Sequence, residues 1–323
     1  MTENISRQPK GVPVGGQFAA TTHTEPELSP LTSVTPFHDA DGTDWEFGGD
    51  EYTDVYNSFQ HAVEVRITTD IREDGAYATV TDFRRNRPLV LGDRTHHESL
   101  EEAKAHGKAI RERANSYEHN HIGEGSRSPW GKLQGVDPVA VGIDAVWTER
   151  HGGFKLSPER AAEVDPAWRE VAGWYEQDCA WAKAIITHHQ DLKPADVAGA
   201  HKAAREYYPD EYTAIVGKDP AKYGLASFQP ITAAESSIIE TREFLAARAD
   251  THVRVERVNL TPEGHSGMVS VDVHDIPADG RDEEDSPAVN ARTILVPEQE
   301  WKMPWTERRT IPKSDAYQTL ELA

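Results

Sequence analysis

Two stretches of the chain alternate apolar and polar residues with the period of two that is typical of a β-strand. The first stretch shows this alternation twice, at Val63, Val65 and Ile67 and again at Tyr77, Thr79, Thr81 and Phe83. Asp74-Gly75 between them is a typical turn dipeptide, so the pattern predicts a two-stranded hairpin. A third short strand is predicted at residues 89–91.

A helix is predicted directly after these strands. Ser99 is a favourable N-cap residue, and Glu102 three positions later completes a capping box. Apolar or small residues then follow on one helical face up to about Arg113, namely Leu100, Ala103, Gly107 and Ile110. The sequence therefore predicts a small β-β-β-α unit over residues 45–117, and residues 115–128 are expected to be a linker.

Residues 129–250 are predicted to form a mainly helical domain with a short strand at 139–147. A short helix is expected from Ser157-Pro158 and a longer one from Asp165-Pro166, because each pair places an N-cap residue before a proline. The longer helix is predicted from apolar residues three or four apart, which are Trp168, Val171, Ala172, Tyr175, Cys179, Ala182 and Ile186. Further helices are expected near 194–207 and 232–249, and a Thr232/Glu235 capping box opens the second of these.

The second alternating stretch lies near the end of the chain. Its apolar positions are Val253 and Val255, then Val269, Val271 and Val273, then Ile294 and Val296. They predict an antiparallel β segment of three strands over residues 251–300, followed by an irregular tail over 301–323. The expected fold class is therefore α+β.

Composition excludes several classes of protein. The 323 residues include 34 basic and 55 acidic side chains, a net charge of −21, which argues against binding to nucleic acid phosphates or anionic lipid. The single cysteine, Cys179, rules out an internal disulfide framework and thiolate zinc sites. No apolar run reaches membrane-spanning length and none resembles a signal peptide, so a cytoplasmic location is expected. Residues 1–44 are acidic and poor in apolar groups, and we expect them to be a disordered leader.

A candidate catalytic group is centred on His151. A histidine beside Gly152-Gly153 can be presented to a substrate, and a carboxylate can orient it for acid/base chemistry. Glu176 and Asp178 supply such carboxylates. On the predicted helix they would point about 200° apart, so only one of them can face the histidine. We expect that one to be Asp178, which either orients His151 or ties down the backbone of the turn.

Several of these residues carry a resemblance to known proteins. The segments are Trp130-Gly131-Lys132, His151-Gly152-Gly153-Phe154 and Trp174-Tyr175-Glu176-Gln177-Asp178-Cys179. Over about residues 129–210 they resemble an uncharacterised domain of actinobacterial phage and mobile-element proteins. Residues 7–19, with several glycines and prolines, are similar to an N-terminal segment of such proteins. The resemblance implies a phage or mobile-element setting and marks Trp130, Gly152, Gly153 and Phe154 as binding residues, but it implies no reaction.

Other kinds of site are disfavoured by spacing. Adjacent histidines such as His96-His97 and His188-His189 cannot chelate one metal from a helix, and the acidic loops lack the glutamate of an EF-hand, so neither metal nor cofactor is expected. Cys179 falls on the apolar stripe and is expected to be buried and unreactive. A basic spot at Arg84, Arg85 and Arg87 is expected to be a solvated turn, so direct nucleic-acid binding is not expected.

Two functions remain open on this sequence. The first is a non-catalytic interaction protein of a phage or mobile element, whose acidic surface binds a host or element protein with a basic face, as an anti-defence or antirestriction factor would. The second is a hydrolase or transferase-like enzyme that uses His151 as acid/base with Asp178 as its orienting group. An enzyme requires a concave pocket at His151, whereas a binding protein of the first kind requires a continuous acidic face.

Overall fold

The computed structural model describes residues 35–320 except for 71–73, 86, 261, 282–287 and 302–308. It contains antiparallel sheets and helices in three successive units, which confirms the predicted α+β class. The predicted disordered leader lies outside the described residues up to position 34. From Thr35 onward that prediction is wrong, because residues 35–38 already form a strand of the first sheet.

The first unit is a six-stranded antiparallel sheet with one helix against it. The strands are neighbours in chain order and comprise β1 (Thr35–His38), β2 (Asp44–Gly49), β3 (Thr53–Gln60), β4 (Val63–Asp70), β5 (Ala76–Asp82) and β6 (Leu89–His97). Helix α1 (Leu100–Asn115) follows, and the Glu102 backbone N–H donates to Ser99 Oγ as the predicted N-cap requires. The predicted hairpin is β4–β5 and the predicted third strand is part of β6. The prediction of a three-stranded unit was wrong, because it missed β1–β3.

The face of this sheet that packs on α1 is narrow and apolar. The residues buried on this face are Val63, Val65 and Ile67 of β4 and Ala76, Ala78 and Val80 of β5. Gly107 of α1 lies so near the sheet that a Cβ there would be 2.3 Å from Val65 Cγ1. Glycine is therefore required where the helix crosses β4. The alternating Tyr77, Thr79 and Thr81 belong to the opposite face of β5.

Lys104 of α1 is enclosed by aromatic rings of the first three strands. Its Nζ lies 5.0 Å from the ring centroid of Phe37, 5.2 Å from that of Trp45 and 5.6 Å from that of Tyr56. Asp39 accepts a hydrogen bond from this ammonium at 3.0 Å and another from Lys108. Burial would raise the pKa of Asp39, but hydrogen bonds from both lysines and from Trp45 hold it below its ordinary value. The lysine thus joins α1 to β1–β3 by cation–π and ionic contacts.

Replacing Lys104 with alanine is expected to destabilise the protein by about 3 kcal/mol, because the partly buried Asp39 loses one of its cations and the rings lose their buried partner. Lys104→Met retains the aliphatic stem and is expected to cost clearly less. Urea unfolding followed by far-UV circular dichroism measures both. A loss below about 1 kcal/mol for the alanine variant, the range of an exposed ion pair, would contradict this account of the contact.

The second unit combines a small sheet with a helical layer. Its β elements are β7 (Arg127–Ser128), β8 (Gly131–Lys132), β9 (Gly135–Ala140), β10 (Ile143–Trp147), β11 (Gly152–Leu156) and β12 (Trp174–Glu176). Its helices are α2 (Pro158–Glu163), α3 (Trp181–Thr187), α4 (Pro194–Tyr207), α5 (Pro209–Ile215) and α6 (Ser237–Ala246). Strands β9–β12 form one antiparallel sheet in the order β12-β11-β10-β9, and β7 pairs with β8. The domain is thus less helical than predicted.

The long helix predicted from Asp165 is wrong. Asp165 does cap a helix, but only the 3₁₀ turn Pro166–Trp168. Gly173 has φ +71° and Ala172 has φ +52°, and this left-handed backbone ends the second 3₁₀ turn, Val171–Gly173, and leads into β12. Trp168, Tyr175 and Ile186 are nevertheless buried in one core, so the apolar spacing identified core residues on three different elements.

Other boundaries in this unit also changed. The strand predicted at 139–147 is two strands, β9 and β10, because Gly142 with φ +75° turns the chain between them. The predicted linker contains β7. The helices expected at Ser157-Pro158 and at 194–207 are confirmed as α2 and α4. Thr232 and Glu235 contact one another, but α6 begins after them at Ser237.

The third unit is a five-stranded antiparallel sheet. Its strands are β13 (His252–Asn259), β14 (Met268–Asp275), β15 (Arg292–Pro297), β16 (Thr310–Pro312) and β17 (Gln318–Leu320), in the order β16-β13-β14-β15-β17. The three predicted strands are confirmed as β13, β14 and β15. The tail was predicted to be irregular, whereas its described parts add an edge strand to each side of the sheet. No helix within the described residues is long and apolar enough to cross a bilayer.

A buried polar network joins the first two units. Arg160 of α2 is 1% exposed; its Nε donates to the Val141 carbonyl at 2.9 Å and its Nη1 donates to Asp191. Arg113 of α1 donates to the same Asp191 carboxylate at 2.8 Å. The Tyr117 ring, which follows α1, lies 3.4 Å from the Arg160 guanidinium carbon. The guanidinium thus contacts groups from both units at once.

The same network contains a fully buried histidine. His188 donates through Nε2 to the Arg160 carbonyl, and its Nδ1 accepts from the Arg160 guanidinium. Both contacts suit the neutral ring with its proton on Nε2. Burial, together with the charge of Arg160, lowers the pKa of His188 to about 3.

This shift predicts a loss of stability in mild acid. The pKa of His188 is lower in the folded than in the unfolded chain, so the unfolded chain binds more protons between about pH 6.5 and 3. The contribution is complete above about pH 6.5 and falls by about 1.4 kcal/mol for each pH unit below it. His188→Gln, which cannot titrate, is expected to show a correspondingly smaller decrease in urea midpoint between pH 7 and pH 5. Equal decreases would show that the histidine titrates normally.

Candidate functional site

The β9–β12 sheet brings together three sequence segments that we singled out. Strands β11 and β12 pair so that Gly153 lies opposite Glu176 and Lys155 lies opposite Trp174. These residues share one face of the sheet, because side chains of directly opposite residues point to the same side. Phe154 and Tyr175 lie on the other face, in the helical core. The prediction of Phe154 as a binding residue is therefore not supported by its position.

Trp130 covers the face that holds Gly153. A Cβ on Gly153 would lie 2.8 Å from Trp130 Cη2, so the indole packs directly on the glycine. The Trp130 ring meets the Trp174 ring edge to face, with centroids 5.9 Å apart and planes at 84°. The predicted binding residues Trp130 and Gly153 are therefore in contact. Trp174 is the partner that spacing alone did not identify.

The turn that carries His151 is closed by Thr148. The Thr148 hydroxyl accepts from the His151 backbone N–H at 3.0 Å, and the Thr148 backbone N–H donates to the His151 carbonyl at 2.7 Å. This turn spans 148–151, whereas Gly152-Gly153 belongs to β11. The expectation that Asp178 ties down the turn by accepting its N–H groups is therefore wrong at His151. A threonine three residues before the histidine is the signal that could have shown it.

Glu176 is the last residue of β12, and Asp178 lies in the turn that follows it. The Asp178 backbone N–H donates to the Glu176 carboxylate at 2.9 Å. Burial raises the pKa of Glu176, the hydrogen bond from the Asp178 backbone N–H lowers it, the adjacent Asp178 carboxyl raises it, and the charge of His151 lowers it; the net shift is upward. The prediction that only one of the two carboxyl groups can face the histidine assumed a helix, whereas Glu176 lies in a strand and Asp178 in a turn. Glu176 lies opposite Gly153, and the charge of His151 acts on its carboxyl group.

An open cleft of about 750 Å³ lies between the β7–β8 hairpin and the 148–151 turn. Trp130 and the largely buried Leu133 are its apolar lining residues. Its charged or titratable lining residues are Glu124, Lys132, Glu149, Arg150 and His151. The cleft therefore presents both signs of charge beside an indole ring. Lys132 and Arg150 were not among the predicted site residues, because isolated surface cations have no sequence signature.

Cys179 lies outside this cleft and is only partly buried. Its Sγ contacts Tyr208 Oη at 2.9 Å, and Lys183 Nζ lies 4.1 Å from the centroid of the Tyr208 ring. The prediction of full burial was wrong, because Cys179 follows β12 in a turn and not in a helix. Within the described part of the chain, no group of three or more histidine, cysteine, aspartate or glutamate side chains is arranged to hold a metal ion.

Comparison with known proteins adds one finding. No curated protein and no solved structure matches the chain. One segment of the chain does match a family model. This segment is longer at both ends than the predicted 129–210, so it takes in the β7–β8 hairpin and all five helices after α1. Residues 123–249, which include the cleft and Glu176, match the family model described as a domain of unknown function (DUF7007).

Proposed function

We propose that the protein is a non-catalytic interaction protein that binds a basic surface of another protein. The proposal rests on one observation. The basic side chains of α1 bind partners within the protein, whereas its acidic side chains are exposed to solvent. Lys104 and Lys108 bind Asp39, Arg111 donates to Ser58, and Arg113 donates to Asp191. All four cations of the helix thus have partners within the chain.

The carboxylates at this helix have no comparable contacts with other described residues. Glu98, Glu101, Glu102 and Glu112 are exposed, and the one ion pair that they form within the described part of the chain is the 3.5 Å contact of Glu101 with Lys104. We call these four residues the acidic face. The residues of α1 itself would give a positive sum, so the sequence of the helix conceals this face. Its charge is part of the net −21 of the whole chain and favours a basic partner.

A phage or mobile-element protein with such a face could act in the cytoplasm as an anti-defence or antirestriction factor, because nucleic-acid-handling enzymes present basic surfaces to phosphates. The acidic face would occupy that surface in place of the nucleic acid. We propose this role together with the binding function, and it requires a protein partner with a basic surface.

The test measures binding of a fluorescent twelve-residue lysine-rich peptide to the full chain. Substituting Glu98, Glu102 and Glu112 together with glutamine is expected to weaken binding at least tenfold, and binding of the unaltered chain should fall as salt rises. The matched control replaces three exposed acids elsewhere, Glu211, Glu243 and Asp250, with their amides. Equal losses in both triple variants would show that only net charge matters and would refute the acidic face.

A second function is favoured by a separate observation, the raised pKa of Glu176 near His151. A carboxyl group that holds its proton at higher pH can act as a general acid, with His151 as base at the rim of the cleft. If this is correct, nitrophenyl ester or phosphate hydrolysis should be lost in Glu176→Gln and His151→Gln at unchanged melting temperature. If the unaltered chain hydrolyses these substrates no faster than the two variants do, an acid/base role of Glu176 and His151 toward such substrates is excluded.

A further inference from the structure

The cleft between the β7–β8 hairpin and the 148–151 turn is lined by charged side chains that contribute no hydrogen bond or ion pair to the described fold. The side chains of Lys132, Arg150, Glu124 and Glu149 have no hydrogen bond or ion pair with any described residue. All four are exposed. Cations of this unit that are largely buried are paired, as Arg205 is with Glu235 and Lys183 is with Glu170.

The backbone around these residues is already satisfied. Thr148 closes its turn through contacts to His151, and the Leu133 N–H donates to the Ser126 carbonyl across the hairpin. Trp130 is held against Gly153 and Trp174, so its position does not depend on a ligand. The charged side chains therefore surround a fixed aromatic wall without contributing to the contacts that hold that wall in place.

The mixture of signs limits what can occupy the cleft. Nucleic acid and anionic membranes present one sign of charge and would leave the two carboxylates without partners and repelled. A protein surface offers both signs and an apolar or aromatic side chain in one short segment. Charge complementarity therefore favours a protein segment, in which acidic groups meet Lys132 and Arg150 and basic groups meet Glu124 and Glu149.

We infer that this cleft is the docking site for a mixed-charge segment of a protein partner, which places an apolar or aromatic side chain against Trp130. The inference rests on the proposed function in that it requires a protein partner. The acidic face would attract the partner and the cleft would fix how it sits, because long-range charge steers association while paired charges and an aromatic anchor determine the bound orientation.

The experiment uses fluorescence anisotropy on the full chain with four labelled probes. Three are twelve-residue peptides with one central tyrosine, in which the other charged positions alternate Lys and Glu, are all Lys, or are all Glu. The fourth is a twelve-nucleotide oligothymidylate. The mixed peptide is expected to bind most tightly at physiological salt.

Two double variants then test the site. Lys132→Glu with Arg150→Glu makes all charged lining residues except His151 acidic, and it should weaken binding of the mixed peptide at least tenfold and strengthen binding of the all-Lys peptide. The matched control, Lys202→Glu with Lys218→Glu, changes net charge equally at two exposed lysines outside the cleft and should leave the mixed peptide unaffected.

Other outcomes overturn the inference. Equal effects of the two double variants would show a response to net charge alone. Tightest binding of the all-Lys peptide, unaffected by the cleft variants, would support the acidic face and reject the cleft as the docking site. Tightest binding of the oligonucleotide or of the all-Glu peptide would assign the cleft to an anion instead, and no binding of the mixed peptide at millimolar concentration would also reject it.

Discussion

Gly153→Ala is expected to destabilise the protein by about 3 kcal/mol, the upper end of the usual cost of overpacking. A Cβ at this position would lie 2.1 Å from the Tyr175 carbonyl oxygen and 2.8 Å from Trp130 Cη2. The carbonyl belongs to β12, so it cannot move away without disturbing the β11–β12 pairing. The methyl group would also displace the Trp130 indole from the wall of the cleft.

Two measurements check this expectation. Urea unfolding gives the loss of stability, and near-UV circular dichroism reports the packing of Trp130 against Trp174. Gly152→Ala is the matched control, since its Cβ would chiefly meet Gln177 Oε1, the end of a side chain that can move away. We expect a markedly smaller change there. Similar losses at both glycines would mean that the close approach at Gly153 is not what the fold requires.

The sequence predicted the parts of the fold that depend on local patterns. Alternation identified β4, β5, β13, β14 and β15, and N-cap residues located the starts of α1 and α2 correctly. These local patterns predict the elements correctly because one face of each element is buried against a core. Strands β1–β3 gave no such signal, because their inward-facing residues mix aromatic rings with the buried Ser58 and contact a lysine and an arginine of α1.

The error at residues 165–186 has a different physical origin. Apolar residues three and four apart do occur there, and Trp168, Tyr175 and Ile186 are buried. Val171 is 84% exposed, however, whereas every residue on the buried stripe of a helix would be buried. Gly173 turns the chain and Trp174–Glu176 pairs with β11. Long-range strand pairing overrode the local pattern, as tertiary context commonly does.

The same error decided how the candidate site was assembled. Once 174–176 is a strand, Glu176 and Trp174 lie on the face that Trp130 covers, and the charge of His151 acts to lower the pKa of Glu176. Of the predicted site residues, Trp130 and His151 line the cleft, whereas the helix assumed for Glu176 and Asp178 gave them the wrong relation to one another. A relation of that kind depends on strand register, which a single sequence without a tight hairpin does not define.

Arg160→Ala is expected to have the largest effect on stability, a loss of about 3–5 kcal/mol. The substitution leaves the Val141 carbonyl without its donor and leaves Asp191 with Arg113 as its remaining cationic partner. It also removes the guanidinium from the Tyr117 ring. Breaking one partner of a buried ionic network costs more than an exposed pair contributes, because the remaining groups stay buried without compensation.

The Arg160→Ala variant should also reduce the protection of backbone amides against hydrogen exchange in both units. Arg113 and Tyr117 belong to the first unit, so loss of Arg160 should increase hydrogen exchange at the end of α1 as well as in α2. Arg169→Ala is the control, since that arginine is exposed and also donates to two carbonyls, those of Val164 and Ala162. We expect a loss of no more than about 1 kcal/mol there, the usual net value of a hydrogen bond. If Arg160→Ala increased exchange in α2 alone, the network would stabilise the second unit without joining it to the first.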